Sequence, residues 1–151
     1  MTQNLQQPHI VVECGAASDA GAVRTLNEDS YLAATPVFVV ADGMGGHLHG
    51  ELASVAVVNR FQELAGRHWA TADDIHRAVL RATQDIVALG RGPASAGSTV
   101  TGVALTVRAG RPAWLVFNVG DSRVYLVRQG RLTQVTVDHS KVQELKDAGH
   151  V

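Results

Sequence analysis

Apolar and polar positions alternate with different periods along the chain, and the changes of period divide it into segments. Ile10–Cys14, Ser30–Ala34 and Val37–Ala41 are short runs of apolar or β-branched residues, the last two separated by a Thr35-Pro36 turn. Runs of this length and composition predict three strands. The period then becomes helical. Glu51 to Ala65 sets Leu52, Val55, Val58, Phe61 and Ala65 on one face. A second helix is better marked: Thr71 stands where a cap belongs, and Asp73 and Asp74 suit the positive end of the helix dipole. Ile75, Val79, Ala82, Ile86 and Leu89 follow at spacings of three and four, and Gly90 is placed to end the helix. Gly92 to Gly97, with Pro93, reads as a loop.

Beyond it the period falls to two. Ser98–Val107, Pro112–Val119, Arg123–Val127 and Leu132–Val137 predict four strands in succession. Ala109-Gly110 and Gln129-Gly130 are short enough to pair their neighbours as antiparallel hairpins. Ser140 and Gln143 have capping-box spacing for a last short helix ending at Gly149. Helices segregated from runs of antiparallel strands, rather than alternating with them, make the fold class α+β.

Composition narrows the function. The chain has 151 residues, 46% of them hydrophobic, and a formal net charge of −1. That is enough for one compact core, and it lacks the basic footprint of a general nucleic-acid binder. A single cysteine, Cys14, excludes an internal disulfide and a multi-cysteine zinc site; its apolar surroundings predict a buried thiol. Residues 1–8 are polar and glutamine-rich and read as a flexible tail ahead of a domain spanning 9–151. With no basic, then apolar leader and no apolar run near the ~18 residues of a membrane span, a cytoplasmic protein is expected.

Four segments carry candidate chemistry. In Val39-Val40-Ala41-Asp42-Gly43-Met44-Gly45-Gly46-His47, a strand ends in a carboxylate beside glycine-freed backbone. Such a place suits a hard cation, and equally a glycine-rich turn with a capping aspartate; without Gly-Lys-Ser/Thr it is no P-loop. Arg24-Thr25-Leu26-Asn27-Glu28-Asp29 joins a planar fork of donors for a phosphoryl group to two hard-oxygen acids, or is a solvated turn with a local ion pair. Asn118-Val119-Gly120-Asp121-Ser122-Arg123 breaks two apolar strands and has turn chemistry of its own. Gly97-Ser98-Thr99 opens a strand with small residues and says little alone.

Together these segments say more. Each acid lies at a strand end or turn, where one rim of a sheet can gather them. Several carboxylates, one arginine and no thiol ligands favour Mg²⁺ or Mn²⁺ over zinc. A carboxylate-held metal pair beside an arginine suits hydrolysis of a phosphate ester.

The order Arg24 with Asn27-Glu28-Asp29, Asp42-Gly43-Met44-Gly45-Gly46, Gly97-Ser98-Thr99, Gly120-Asp121-Ser122-Arg123 and Asp138-His139-Ser140 resembles the successive motifs of PPM (PP2C-type) protein phosphatases, bacterial members above all. The likeness runs from about Val12 to Val151. It implies a four-layer α-β-β-α sandwich with antiparallel sheets. It also implies removal of phosphate from phosphoserine or phosphothreonine in proteins by a water activated between two Mn²⁺ or Mg²⁺ ions. By the same resemblance Asp42 is the bridging carboxylate and the Gly43 carbonyl a ligand. Glu28 and Asp29 hold metal-bound waters, Arg24 binds the substrate phosphate, and Asp121 serves a third, weaker metal. Asn118, Ser122 and Arg123 are then structural, and His139 belongs to the cap of the last helix. Met44 stands where some members carry a histidine acid.

The resemblance further implies an N-terminal part of the domain. The family's two later metal-binding aspartates and its C-terminal strands have no counterpart up to Val151, which predicts open sheet faces and impaired activity for residues 1–151 alone. A phosphorylated protein substrate, an opposing Ser/Thr kinase and a complementing C-terminal segment are the partners implied. The rival expectation is a non-catalytic pseudophosphatase that binds phosphoprotein through Arg24 and the acidic cleft.

Overall fold

The computed structural model describes residues 10–45, 49–89 and 96–140, together with 143, 146 and 148. Its elements run β1 (Asp29–Ala34), β2 (Val37–Met44), α1 (His49–Gln62), α2 (Ala72–Leu89), β3 (Gly97–Ser98), β4 (Val100–Arg108), β5 (Arg111–Val119), β6 (Tyr125–Arg128) and β7 (Arg131–Gln134). One antiparallel sheet has the order β1-β2-β4-β5, and β3 lies beside the end of β2 in the register that β4 already keeps with it. β6 and β7 form a separate two-stranded ribbon.

Alternation on β2 decides which way the sheet faces. Val37, Val39, Ala41 and Gly43 are buried, whereas Val40, Asp42 and Met44 are exposed. The buried side packs under α1, and α2 packs beside α1. Phe61 of α1 is fully buried and stacks on Phe117 of β5 with ring centroids 5.3 Å apart. Gly102 makes that possible, since a Cβ there would lie 2.8 Å from the Phe117 ring. On the opposite face Tyr31, Val40, Trp114 and Val116 are about half exposed. The α+β class and the open apolar sheet face therefore agree with the sequence.

Local chemistry fixes the connections. Ala109 and Gly110 have φ of 49° and 73°, Gln129 and Gly130 of 51° and 75°. Two successive positive φ angles make the tight two-residue hairpins whose twist matches the strands they join. At α2, Thr71 Oγ1 accepts the Asp74 N–H (3.1 Å) while the Asp74 carboxylate accepts the Thr71 N–H (2.9 Å), a reciprocal cap. Ser140 Oγ likewise accepts the Gln143 N–H at 3.2 Å. The remainder of the helix expected up to Gly149 lies almost wholly outside the described residues, as do Gly90 and residues 91–95.

Three expectations need correction. Ile10–Cys14 forms no strand and Cys14 is exposed; an apolar run becomes a strand only where another edge takes its backbone hydrogen bonds, and none does so here among the described residues. The buried stripe of α1 is Gly50, Ala53, Ser54, Val57 and Phe61, leaving Leu52 and Val55 exposed, because the helix approaches the sheet through its small residues. Gly97 belongs to a strand with Ser98, not to the loop before it. Among the described residues no helix is long and apolar enough to cross a membrane.

Candidate active site

The site is built at the end of β2. Asp29 and Asp42 are directly opposite in the β1–β2 ladder. Asp42 spends its main-chain groups on the other neighbour: its carbonyl accepts the Thr99 N–H at 2.9 Å and its N–H donates to Thr99 Oγ1 at 3.0 Å. Towards Asp29 it therefore occupies a non-hydrogen-bonded position, where facing Cα atoms approach to about 4.5 Å and side chains crowd. Partial burial, first, and then the charge of Asp29, a hydrogen bond with it and the charge of Asp121 push the Asp42 carboxyl up; Arg24 pulls the other way. Asp29, Asp42 and Asp121 thus share one field with one arginine.

Glu28 is placed by backbone. Its carbonyl accepts the Gly43 N–H (3.2 Å) and the hydroxyl of the fully buried Ser54 (2.6 Å). Its carboxylate lies over Gly50, in the first turn of α1, where a Cβ would come within 2.5 Å of Oε1. A negative group at a helix N-terminus is favoured by the helix dipole. Gly43 is required for a related reason: a Cβ there would meet the Gly50 carbonyl at 2.0 Å. The loop bearing Arg24 is tied on both sides, with Asp19 Oδ1 accepting the Gly21 N–H (2.7 Å) and Asn27 Nδ2 donating to Ser18 Oγ (2.6 Å). Asn27 Oδ1 also accepts the Asp29 N–H at 3.0 Å, linking the loop to β1.

Two cavities meet here, with Arg24, Glu28, Asp42 and Gly43 as shared walls. The smaller, about 210 Å³, adds Asp19 and Asp29. The larger, about 830 Å³, adds Met44, Thr99, Asp121 and His139. All six of the sequence's site residues, Arg24, Glu28, Asp29, Asp42, Gly43 and Asp121, line one or the other. Asn118, Ser122 and Arg123 hold the turn around Asp121: Asn118 Nδ2 donates to the Gly120 and Val137 carbonyls, and Arg123 makes a two-pronged pair with Asp138 at 2.8 and 2.6 Å. His139 donates its N–H to the Gly120 carbonyl (2.8 Å) and lines the larger cavity. His47 and Gly46 lie outside the described residues, and His49 begins α1.

The donor set suits a hard cation: carboxylate oxygens, no thiolate, and an Asp42 carboxyl crowded by like charge that an ion would relieve. Among the described residues no three acidic, histidine or cysteine side chains converge tightly enough to cage one ion. The arrangement fits ions held by one or two carboxylates with water completing the shell, as Mg²⁺ prefers. Sequence reasoning missed Asp19, Gly50 and Ser54, and it singled out Thr99 within Gly97-Ser98-Thr99 without giving it a role. Ser54 acts through the distant Glu28 carbonyl, Gly50 through the absence of a side chain beneath the Glu28 carboxylate, and Asp19 through a short turn with Gly21 that carries no mark of its own.

Residues 19–145 match the family model of protein phosphatase 2C. The serine/threonine protein phosphatase PstP of Mycobacterium tuberculosis is 39% identical over 147 residues, 94% of this chain and 28% of that protein. The serine/threonine phosphatase stp of Listeria welshimeri is 32% identical, covering 89% of this chain and 57% of its own length. The chain thus spans from about a quarter to little more than half of these relatives. The crystal structure of the M. tuberculosis enzyme superposes with a TM-score of 0.76 at 34% identity, over 89% of this chain and 58% of that one. The PstP catalytic domain in complex with two manganese ions gives 0.75 at 34% identity, over 89% and 59%. The chain belongs to the protein phosphatase 2C family.

Proposed function

We propose that this chain supplies the acidic cleft of a metal-dependent protein phosphatase that hydrolyses phosphoserine and phosphothreonine. The observation that carries the reading is Asp42, set beside Asp29 and within the field of Asp121, with Arg24 on the wall of the same cleft. Mn²⁺ or Mg²⁺, as a pair with room for a third, would be held by Asp42 and the Gly43 carbonyl, with Glu28 and Asp29 accepting hydrogen bonds from coordinated water and Asp121 serving the outer position. When bound, such ions supply the Lewis acidity that activates a water for attack on phosphorus. The likeness to a PstP domain carrying two manganese ions supports this assignment.

The chain's own residues do the remaining work. Arg24 presents a bidentate guanidinium to the phosphoryl oxygens and orients the ester for in-line displacement. The Thr99–Ser122 and Asn118–Gly120 contacts hold the Asp121 turn beside Asp42. The larger cavity is broad and open enough for a phosphorylated side chain on a polypeptide, so phosphoproteins, made by an opposing Ser/Thr kinase, are the substrate class. The open face around Tyr31, Val40, Trp114 and Val116 is the seat for a complementing C-terminal segment that finishes the sandwich and adds the family's later aspartates.

Hydrolysis of a phosphothreonine peptide in oxygen-18 water tests the reaction. The heavy oxygen should appear in inorganic phosphate in a single turnover, with no phosphate left on the protein and no reaction in EDTA. Stoichiometric peptide binding without release would instead establish a phosphoprotein-binding module built on Arg24.

A further inference from the structure

Resting on the reading of the cleft as a metal-dependent phosphatase site, we propose that Thr99 is a positioning residue that locks the turn carrying Asp121 against the strand end carrying Asp42. The three segments are 57 and 23 residues apart in sequence, and this one side chain ties them together. In a regular ladder the Asp42 N–H would go to the Thr99 carbonyl. Here that carbonyl instead accepts the Ser98 hydroxyl at 2.8 Å, and the Thr99 hydroxyl takes the Asp42 N–H at 3.0 Å. The sheet is thereby interrupted between β3 and β4 while its register is kept.

Both branches of the side chain are used. Oγ1 also lies 2.8 Å from Ser122 Oγ, in the residue following Asp121. The methyl group packs on Gly120, where a Cβ would stand 2.7 Å from Thr99 Cγ2; Gly120, at φ +103°, has the backbone conformation that glycine tolerates best. From the other side the Gly120 carbonyl is held by the His139 N–H and by Asn118 Nδ2. The turn is therefore gripped on two sides, and only the Thr99 grip reaches Asp42. A β-branched residue has few χ1 choices, so the hydroxyl and methyl directions are fixed together. The consequence is that Thr99 sets the separation of the two carboxylates without itself contacting ion or substrate.

The test uses the native protein, nitrogen-15 labelled, with Thr99→Val, Thr99→Ser and Ser122→Ala. Valine keeps the methyl and removes the hydroxyl; serine does the reverse. Metal-free, Thr99→Val should speed exchange of the Asp42 amide about tenfold, the loss of one hydrogen bond, and shift the Asp121 and Ser122 amides. Thr99→Ser should preserve the Asp42 amide. Ser122→Ala should disturb the Asp121 turn and leave the Asp42 amide protected. With Mn²⁺, Thr99→Val should weaken binding about tenfold or more, the usual effect of losing an orienting contact around a metal site, and serine should restore it. Unchanged Asp42 exchange and Asp121 shifts in Thr99→Val would overturn the proposal, as would weakening by serine equal to that by valine. If Mn²⁺ broadens no cleft resonance in the unmodified protein, the metal reading fails, while the amide data still decide the role of Thr99.

Discussion

Asp42 faces Asp29 across a non-hydrogen-bonded position of the β1–β2 ladder, because both main-chain groups of Asp42 are engaged by Thr99 on its other side. Two carboxylates placed this way repel unless a proton or cation lies between them. The strand pairing that creates the site therefore also stores a cost in it, and the cost is what a bound ion relieves.

Replacing Asp42 by Asn should consequently separate stability from function. The folded state raises the Asp42 pKa through burial and through Asp29 and Asp121. A carboxyl raised on folding contributes stability that is complete below its unfolded pKa and lost as pH rises through the folded value. At pH 7 that contribution is gone, so the metal-free Asp42→Asn protein should melt higher than the unmodified one. The gain should shrink as pH falls towards 4. Mn²⁺ should stabilise the unmodified protein and leave the variant unmoved. Thermal melts at several pH values, with and without metal, check both halves.

Gly50→Ala tests the placement of Glu28. The new methyl would meet the end of a flexible side chain, not backbone, so the fold should survive with a melting temperature within roughly 2–4 °C. Glu28 must swing away, and Mn²⁺ affinity should fall about tenfold. Gly43→Ala should behave differently, because its methyl would strike the Gly50 carbonyl and the strand end could not close. Calorimetric titration of Mn²⁺ beside a thermal melt separates the two outcomes.

The start of α2 gives a pH signature far from the cleft. Hydrogen bonds from the Thr71 hydroxyl and N–H, with Arg77 and Arg67 nearby, push the Asp74 carboxyl down to about 2. A carboxylate depressed on folding stabilises above its unfolded pKa, about 3.9, and that contribution is lost as pH falls through the folded value. Stability from this cap should therefore disappear between about pH 4 and pH 2. Asp74→Asn should cost about 1 kcal/mol at pH 7 and flatten that part of the acid-unfolding curve followed by circular dichroism.

Much of this was legible in the sequence for definable reasons. The short apolar run of β2 and the period of two read along β4 and β5 are local properties, as are the Thr71–Asp74 cap and the Ala109-Gly110 and Gln129-Gly130 turns, so local pattern found them. The five motifs found the cleft because each acid sits at a strand end. What failed was decided elsewhere in the chain. Ile10–Cys14 has strand composition, but strand formation depends on a partner edge. The buried side of α1 was set by Gly50, Ala53 and Ser54, whose smallness permits close approach, whereas periodicity weighs only the larger apolar side chains. Thr99 and Gly50 acquire their roles only when Ser122, Asp42 and Glu28 are brought to them.

Arg24→Lys should retain a positive charge and lose the bidentate fork. The expectation is a rise in KM for phosphopeptide of about 10-fold, with a smaller change in kcat, since a point charge orients the phosphoryl group less well. Steady-state kinetics with one phosphothreonine peptide would read this directly, and Arg24→Ala should raise KM further still.

Metal-dependent hydrolysis at Asp42 is read most simply from phosphate release from a phosphothreonine peptide by the native protein, titrated with Mn²⁺, beside its Asp42→Asn variant. Turnover should rise with Mn²⁺, vanish in EDTA and be abolished by Asp42→Asn. Turnover that ignores Mn²⁺, or that survives in the variant, would contradict that mechanism.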